Sequence, residues 1–430
     1  MYNFILLAIK LKVSFLGGAK EVGRSAVLVD TNSESIMMDY GLKIETEPPR
    51  FPRLPDTKLS AVILTHAHLD HVGAVPLLFR KGQNCPIYSM EITSPLSRIL
   101  FFDSIKIAKH ENYSLGYSEK DAKAALKNFK SFNYRKPFNI GNSKITAYDA
   151  GHIAGSSMIL LENQKKLLYT GDFKLEDTRL MKGADTDIED VDALVIESTY
   201  SDRDHPNRSE EERKFIEHIR STLNNEGVAL VASFAISRSQ ETLLVLDEFE
   251  VNYPVYLDGM SANATEILDA YPELQREYNI LKKVLQRMNV QFVDNVNMRK
   301  KIIKKPCVII CGSGMLSGGP VVGYIKKMFG REDCSLSLTG FQSPGTGGAR
   351  LLETGKFTDE EVDLTVKMSV KRFNFSSHAS RTELLKLCKK ISPEKIFCIH
   401  GDKTEEFANE LKEVHGFDAI SPDIQKKYEI

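Results

Sequence analysis

The stretch LTHAHLDHVGAVP, Leu64 to Pro76, sets the strongest limit on how this chain can fold. It follows the apolar run LSAVIL and puts His66, His68, Asp70 and His71 within six residues, although the 430-residue chain has only 10 histidines. A lone histidine is usually a surface side chain or one that satisfies a hydrogen bond in a core. Several metal-capable side chains in one loop after a buried strand are hard to explain as packing. Residues two apart on an extended loop point to one side, so His66 and His68 can share a metal. Asp70 and His71 continue round the turn and can reach a second. Zinc takes about four ligands, with one position left open in a catalytic site. Both sets are incomplete, so the fold has to bring the missing ligands from the ends of other strands.

Candidates stand at such ends. YDAGHIAGSS places His152 in a small-residue loop after a strand, and IFCIHGD ends a strand at His400. LLYTGDFK ends in Gly171-Asp172, where an aspartate can bridge two metals. SIMMDYG ends at Asp39, better placed to orient a ligand than to bind a metal. Taken singly, Asp39 and Asp172 read equally as turn residues beside glycine, and His152 and His400 as hydrogen-bonded loop histidines. Their joint placement at strand C-termini favours the metal reading. His110, His205, His218 and His415 lie in charged or helical stretches and are expected to be solvated.

Short runs rich in Val, Ile and Leu alternate with longer amphipathic stretches, the pattern of an α/β protein. SAVLVD and SIMMDYG follow each other closely, which suggests a mixed or antiparallel sheet. Helices are expected from Val72 and from Ile92 to about His110. From Asp202 the texture changes. NRSEEERKFIEHIRSTLNN opens with a cap and a charged first turn. GVALVASFA, PVYLDGM and PCVIICGSGML then each lead into a helix, in doubly wound, Rossmann-like order. Near Lys371 the first texture resumes, with RTELLKLCKKI, KIFCIHG, KTEEFANELKEVHG and QKKYEI. The economical organisation is one domain over 1–200 and 372–430, interrupted by a second over 201–371.

With 42% hydrophobic and 27% charged residues and a formal net charge of -1, the chain reads as an ordinary globular protein. Near-neutrality leaves room for a local basic groove. The opening MYNFILLAIKLKVSF has too short an apolar run to cross a membrane and no cleavage site, so it reads as a first strand. The six cysteines are scattered singly apart from Cys307 and Cys311. No second pair completes a zinc site, so they read as buried small hydrophobes in a reducing cytosol. A cytoplasmic protein with no membrane partner is the expectation.

THAHLDH, DAGHIAGS and YTGDF, in that order after MMDYG, closely resemble the signature of the metallo-β-lactamase superfamily. That resemblance implies a four-layer αββα sandwich with two metals at one edge. The interval from Asp172 to His400 is too long for a glyoxalase-like thioester hydrolase. VIESTYSDR, FSSHASRTEL and FCIHGD resemble motifs A, B and C of the β-CASP nucleases, carried by Glu197, His378 and His400. SFAISRSQE, CGSGMLSGGP and GFQSPGTGGARLL resemble their Rossmann-like cap domain, so the resemblance covers essentially the whole chain. Motif A is Glu rather than Asp, which the family tolerates. A histidine at motif C is similar to the RNA-processing members, where the DNA-repair branch carries an aliphatic residue. The first strand is expected almost at Met1, leaving no room for an N-terminal KH domain, and no long C-terminal assembly domain of the ribonuclease J type is expected. The likeness is therefore greatest to compact prokaryotic and archaeal relatives of the cleavage and polyadenylation specificity factor nuclease.

The resemblance implies a zinc-dependent ribonuclease acting on single-stranded RNA. His66, His68 and His152 would hold one Zn2+ and Asp70, His71 and His400 the other, with Asp172 bridging; manganese and iron stay open as alternatives. Two metals about 3.5–4 Å apart can position a hydroxide for in-line attack on phosphorus, leaving a 5'-phosphate and a 3'-hydroxyl. His378 would protonate the leaving oxygen or hydrogen-bond a non-bridging one, with Glu197 fixing its tautomer. Asp39 would stand behind a ligand histidine.

In the cap, small residues where strands turn into helices expose backbone N–H groups that favour phosphate. Ser237, Arg238, Gly312, Ser313, Gly314, Gly345 and Arg350 are therefore expected RNA contacts, with ordinary tight turns as the alternative. MRKKIIKKP, with Arg299, Lys300, Lys301, Lys304 and Lys305, is either a basic track or a solvated charge run. GGAKEVGRS lacks the spacing of a nucleotide loop and reads as a turn on the site's rim. A cleft between the domains would admit one strand and exclude a duplex. Endonucleolytic cutting is expected, with a 5'→3' exonuclease mode open, and a homodimer is expected from the family. A DNA nuclease and an inactive RNA-binding subunit are the alternatives; His400 argues against the first and the filled ligand positions against the second.

Overall fold

The computed structural model describes residues 11–44, 48–359 and 362–430. The chain forms two compact units. The first takes the chain up to Glu176, then Gly183–Asp204 and Ser377–Ile430; the second takes Asp177–Lys182 and His205–Ser376. The second unit runs past residue 371 because the strand Ser369–Arg372 still pairs in parallel with Ser335–Leu338. Most of the expected first strand, residues 1–10, lies outside the described residues, and the strand described there is Lys12–Gly17. Among the described residues no helix is long and apolar enough to cross a membrane.

The first unit holds two seven-stranded mixed sheets. One has the strand order Lys427–Glu429, Lys12–Gly17, Ala26–Asp30, Ser35–Met38, Ala61–Ile63, Ile87–Met90, Phe129–Phe132. The other runs Ala419–Ile420, Lys395–Ile399, Ala193–Glu197, Lys166–Tyr169, Ser157–Glu162, Ser143–Asp149, Phe138–Ile140. Phe15 of the first sheet packs on Phe397 of the second with ring centroids 5.4 Å apart, so the sheets meet face to face. Helix Thr93–His110 covers the first sheet and helices Arg381–Ile391 and Thr404–Glu413 the second, which completes the four αββα layers. The return segment is an integral part of the sandwich. Lys395–Ile399 pairs in parallel with Ala193–Glu197 across about 200 intervening residues, so this domain cannot close until the chain beyond the second unit has come back.

Local sequence explains the elements around the site. Ala61–Ile63 is fully buried on both faces, as expected of a strand inside a parallel arrangement. The chain then tightens sooner than the expected helix start at Val72. Leu69–Val72 forms one helical turn and Val75–Arg80 a second short helix with Pro76 in its first turn, where proline costs nothing. Helix Arg381–Ile391 begins with a reciprocal Ser380–Glu383 capping box. Helix Glu119–Leu126 and the strands Phe129–Phe132 and Phe138–Ile140 carry no strong periodicity and escaped the sequence reading.

The second unit is a six-stranded parallel sheet in the order Gln291–Val293, Val255–Asp258, Cys307–Cys311, Val228–Ala232, Ser335–Leu338, Ser369–Arg372. Its central strands are buried throughout, and all six cysteines of the chain are buried and free. Two expectations are corrected here. Arg299 belongs to no open basic track: it sits on helix Val296–Ile302 and grips the buried Asp258 with two hydrogen bonds of 2.8 Å. Nor is His218 solvated. It falls on the same stripe of helix Arg208–Asn224 as Phe215, Ile219 and Thr222, and is buried against Phe373.

Burial, reinforced by Lys371, pushes His218 from the ordinary 6.5 down to about 4. Between those values the unfolded chain binds a proton that the folded chain refuses. Stability therefore falls as pH drops through that window, by about 3 kcal/mol in all from this one group. Thermal unfolding followed from pH 7 to pH 4.5 should show this loss, and His218→Gln should make the fall shallower.

Candidate metal centre

Four side chains converge from three separate segments on one point of the sandwich edge. His66 and His68 follow Ala61–Ile63, His152 follows Ser143–Asp149, and Asp172 follows Lys166–Tyr169. His68 Nδ1 lies 3.2 Å from His66 Nε2 and 3.1 Å from His152 Nε2, while Asp172 Oδ2 is 3.6 Å and 3.8 Å from the same two Nε2 atoms. A second set shares Asp172. His71 Nε2 lies 3.2 Å from Asp172 Oδ2, and His400 Nε2 is 3.7 Å from Asp172 Oδ1 and 3.5 Å from Asp70 Oδ2. Each set brings its ligand atoms within 4.8 Å of one another.

Whether such a place suits a metal can be judged from its own atoms. His71 Nε2, His400 Nε2 and both carboxylate oxygens of Asp172 are buried without a hydrogen-bond partner. Buried polar atoms are rarely left so, and these four all face the space that the two sets surround. Charge points the same way. Burial pushes His66 and His152 well below the ordinary histidine range and His68 down to about 4, so these imidazoles are neutral. Burial also opposes charge on His71, but Asp172 and Asp39 outweigh it and hold a proton there well above the ordinary range. Burial likewise works against the Asp172 carboxylate, yet His71, His400 and His378 keep its pKa well below the usual carboxylate range. The first set therefore presents three neutral imidazoles beside a charged carboxylate, a donor set that suits zinc, whereas His71 would give up its proton on binding a metal.

Backbone geometry makes the convergence possible. A Cβ at Gly41 would fall 1.7 Å from the carbonyl oxygen of Asp70, so this segment can lie against the ligand turn only as glycine. Gly171 adopts φ +52 and passes so close to Thr65 that a Cβ would sit 2.7 Å from its Cβ. Asp39, with φ +58, stands behind the ligands. It accepts hydrogen bonds from Thr65 N and Thr65 Oγ1 at 2.8 Å each and from the Tyr169 hydroxyl at 2.8 Å, and meets His71 Nδ1 at 2.7 Å. Three of the four remaining rings also have their far nitrogens held: His152 Nδ1 by the Ser377 carbonyl at 2.9 Å, His66 Nδ1 by Thr65 Oγ1 at 3.0 Å, and His400 Nδ1 by Ser25 Oγ at 2.8 Å. Thr65, Tyr169, Ser25 and Ser377 were missed in the sequence. Only their neighbourhood to THAHLDH, YTGD, GRS and FSSH could have suggested them.

His378 and Glu197 form a pair beside the first set. His378 Nδ1 lies 3.2 Å from Glu197 Oε2 and 3.8 Å from Asp172 Oδ2. Glu197 Oε1 also accepts the Phe173 N–H at 3.0 Å, which fixes the carboxylate. Burial lowers the His378 pKa, but Glu197 and Asp172 more than compensate and raise it above the ordinary value.

The expected RNA-contacting residues all belong to the second unit, at the carboxyl ends of its parallel strands. Gly312, Ser313 and Gly314 follow Cys307–Cys311 directly, and Ser233 N donates to Cys311 O at 3.0 Å beside them. Ser237 stands at the N-cap position of helix Arg238–Glu248 with φ +68 and no side-chain cap hydrogen bond; both Ser237 and Arg238 are largely buried, so Arg238 is no exposed point charge. Gly345 precedes helix Gly347–Thr354, on which Arg350 is exposed.

Sequence comparison agrees with this architecture. Residues 19–202 match the metallo-beta-lactamase superfamily, 239–351 the Beta-Casp domain, and 363–422 the Zn-dependent metallo-hydrolase RNA specificity domain. The chain belongs to the β-CASP family of the metallo-β-lactamase superfamily. It is 36% identical to "Probable RNase MJ4" of Methanocaldococcus jannaschii over 98% of this chain and 100% of that one. It is also 36% identical to "RNase aCSPSF2" of Saccharolobus solfataricus, covering 96% of this chain and 84% of that one. With "Transcription termination factor FttA" of Methanocaldococcus jannaschii it shares 36% identity over 94% of this chain and 69% of the other. A solved structure described as a protein of unknown function from Enterococcus faecalis V583 has the same fold, with a TM-score of 0.57 and 15% identity over 98% of this chain and all of the other.

Replacing Asp39 by Asn removes the charge behind His71 while keeping the shape. Zinc affinity should fall about 10- to 100-fold, as measured by competition with a chromophoric chelator.

Proposed function

We propose that this protein is a metal-dependent ribonuclease that hydrolyses phosphodiester bonds of single-stranded RNA, with two Zn2+ ions as its resident metals. One observation carries the reading: two sets of ligand atoms share the buried, unpartnered carboxylate of Asp172, with the His378–Glu197 pair at its side. The RNase names of relatives aligned over nearly the full chain support RNA as the substrate. His66, His68, His152 and Asp172 would hold one ion, and Asp70, His71, His400 and Asp172 the other. When bound, such ions supply Lewis-acid stabilisation of phosphate charge and lower the pKa of water to about 7.

The chain's own groups account for the rest. Hydrolysis adds the oxygen of water to phosphorus and breaks the bond to O3', so the departing oxygen needs a proton. His378 keeps Nδ1 toward Glu197 and would give that proton from Nε2. Glu197 sets the tautomer and stabilises the protonated ring. Products with a 5'-phosphate and a 3'-hydroxyl follow from this direction of cleavage. In the second unit, the backbone amides of Gly312–Gly314 and Gly345 and the exposed side chain of Arg350 would engage the RNA backbone, while Ser237 and Arg238 are largely buried.

A circular single-stranded RNA tests the reading together with its mode. Cutting of the circle, abolished by chelator, establishes a metal-dependent endonuclease. Intact circles alongside degraded 5'-phosphorylated linear RNA establish a 5'→3' exonuclease instead, and failure to cut either at full zinc occupancy overturns the proposal. A DNA circle of the same sequence should resist. His378→Ala should lower kcat about 10²- to 10³-fold with unchanged metal content. Arg350→Gln should weaken RNA binding and reduce the slope of log affinity against log salt by about 0.7, the value of one phosphate contact on a single strand.

A further inference from the structure

The two ligand sets are not supported alike. Imidazole has two nitrogens, and a ring that offers Nε2 to a metal needs its Nδ1–H held from behind. In the second set His71 has the Asp39 carboxylate for this, itself fixed by Thr65 and Tyr169. His400 has instead a neutral partner, the hydroxyl of Ser25, at 2.8 Å in a fully buried contact. Ser25 belongs to GGAKEVGRS, at the opposite end of the chain from His400. It stands immediately before the strand Ala26–Asp30.

Ser25 does more than touch one ring. Its backbone N–H donates to the Asp70 carbonyl at 2.8 Å, and its carbonyl accepts from Gly41 N at 3.0 Å. One residue thus ties two ligands of the second set, Asp70 by the main chain and His400 by the side chain. The hydrogen bonds of the first set run elsewhere, through Thr65 and Ser377. His400 depends on outside help. It sits in the left-handed region at φ +50, its N–H donates to the Gly18 carbonyl at 2.7 Å, and its Nε2 is a buried atom without a partner. If Ser25 Oγ accepts the Nδ1 proton, Nε2 keeps a lone pair aimed at Asp70 and Asp172. With the tautomer reversed, Nε2 would carry a proton and could not be a ligand.

We propose that Ser25 is a positioning residue that sets the tautomer and ring orientation of His400, and through it controls occupancy of the second metal position without affecting the first. This rests on the two-ion reading above. The segment GGAKEVGRS is then part of the metal centre's support, and the centre closes only when the return segment brings His400 to Ser25.

Zinc titration of the full-length protein by competition with a chelator, with ions per chain counted by elemental analysis, tests this without any activity measurement. The wild type should bind two ions. Ser25→Ala should keep one at unchanged affinity and bind the other about 10-fold or more weakly. Ser25→Thr, which keeps the hydroxyl, should restore the second ion. In a His400→Ala background, adding Ser25→Ala should change nothing further, because the group it acts through is gone; a general structural defect would still lower first-site affinity. Two ions in the wild type with Ser25→Ala indistinguishable from it, or with both ions weakened alike, would overturn the role of Ser25 alone. A wild type that binds a single ion would overturn the two-ion reading underneath.

Discussion

A carboxylate buried with both oxygens unpartnered is among the least stable things a protein can contain, and Asp172 is one. Left alone it would cost several kcal/mol, or would take up a proton. The surrounding structure prevents that by collecting imidazoles around it: His66, His71, His152, His378 and His400 all place a ring nitrogen within 4 Å of its oxygens. Five rings cannot all be protonated in so small a space, and burial drives His66 and His152 to the neutral form. His71 and His378, by contrast, are drawn toward the protonated form by the carboxylates beside them. The rest of the sandwich edge can be understood as the scaffold that holds these rings apart from water and apart from one another.

That scaffold draws on both sheets. Asp39, His66, His68, Asp70 and His71 come from the carboxyl ends of the first sheet, and His152, Asp172, Glu197 and His400 from the second. Sheet-to-sheet packing, Phe15 on Phe397 among it, therefore sets the distances between ligands as much as the ligand loops do. Backbone strain gathers at the same edge. Asp39, Gly171 and His400 all adopt positive φ, and residues held in sparsely populated conformations tend to mark functional sites. Tight contacts at Gly41 and Gly171 show why the strain is borne: the ligand turn and the strand ends approach more closely than any side chain would allow.

The second unit shows how charge can mislead a sequence reading. Arg299 is spent on Asp258, which also accepts the Tyr324 hydroxyl at 2.8 Å, so a buried carboxylate, a guanidinium and a phenol brace the sheet from within. Lys300, Lys301, Lys304 and Lys305 remain exposed. His218 was misjudged for a related reason. Its charged neighbours in sequence point outward, while its own position falls on the helix's apolar stripe.

The sequence by itself determined most of the elements and the candidate ligand types. Buried strands are short apolar runs, their ends carry the small and polar residues, and HAHLDH, GHIAGS, TGD and CIHG stand at such ends, so periodicity and spacing were enough to name His66, His68, Asp70, His71, His152, Asp172 and His400 as candidates. Whether Asp39 and Asp172 were turn residues or parts of a site could not be read there, since aspartate beside glycine suits either. Tertiary structure alone brings both aspartates among the histidines, and sets which nitrogen of His66, His71, His152 and His400 faces inward and what holds the other. Ser25 is the plainest case: 375 residues separate it from His400. Their hydrogen bond comes from the packing of two sheets whose strands arise at opposite ends of the chain, and no local pattern encodes it.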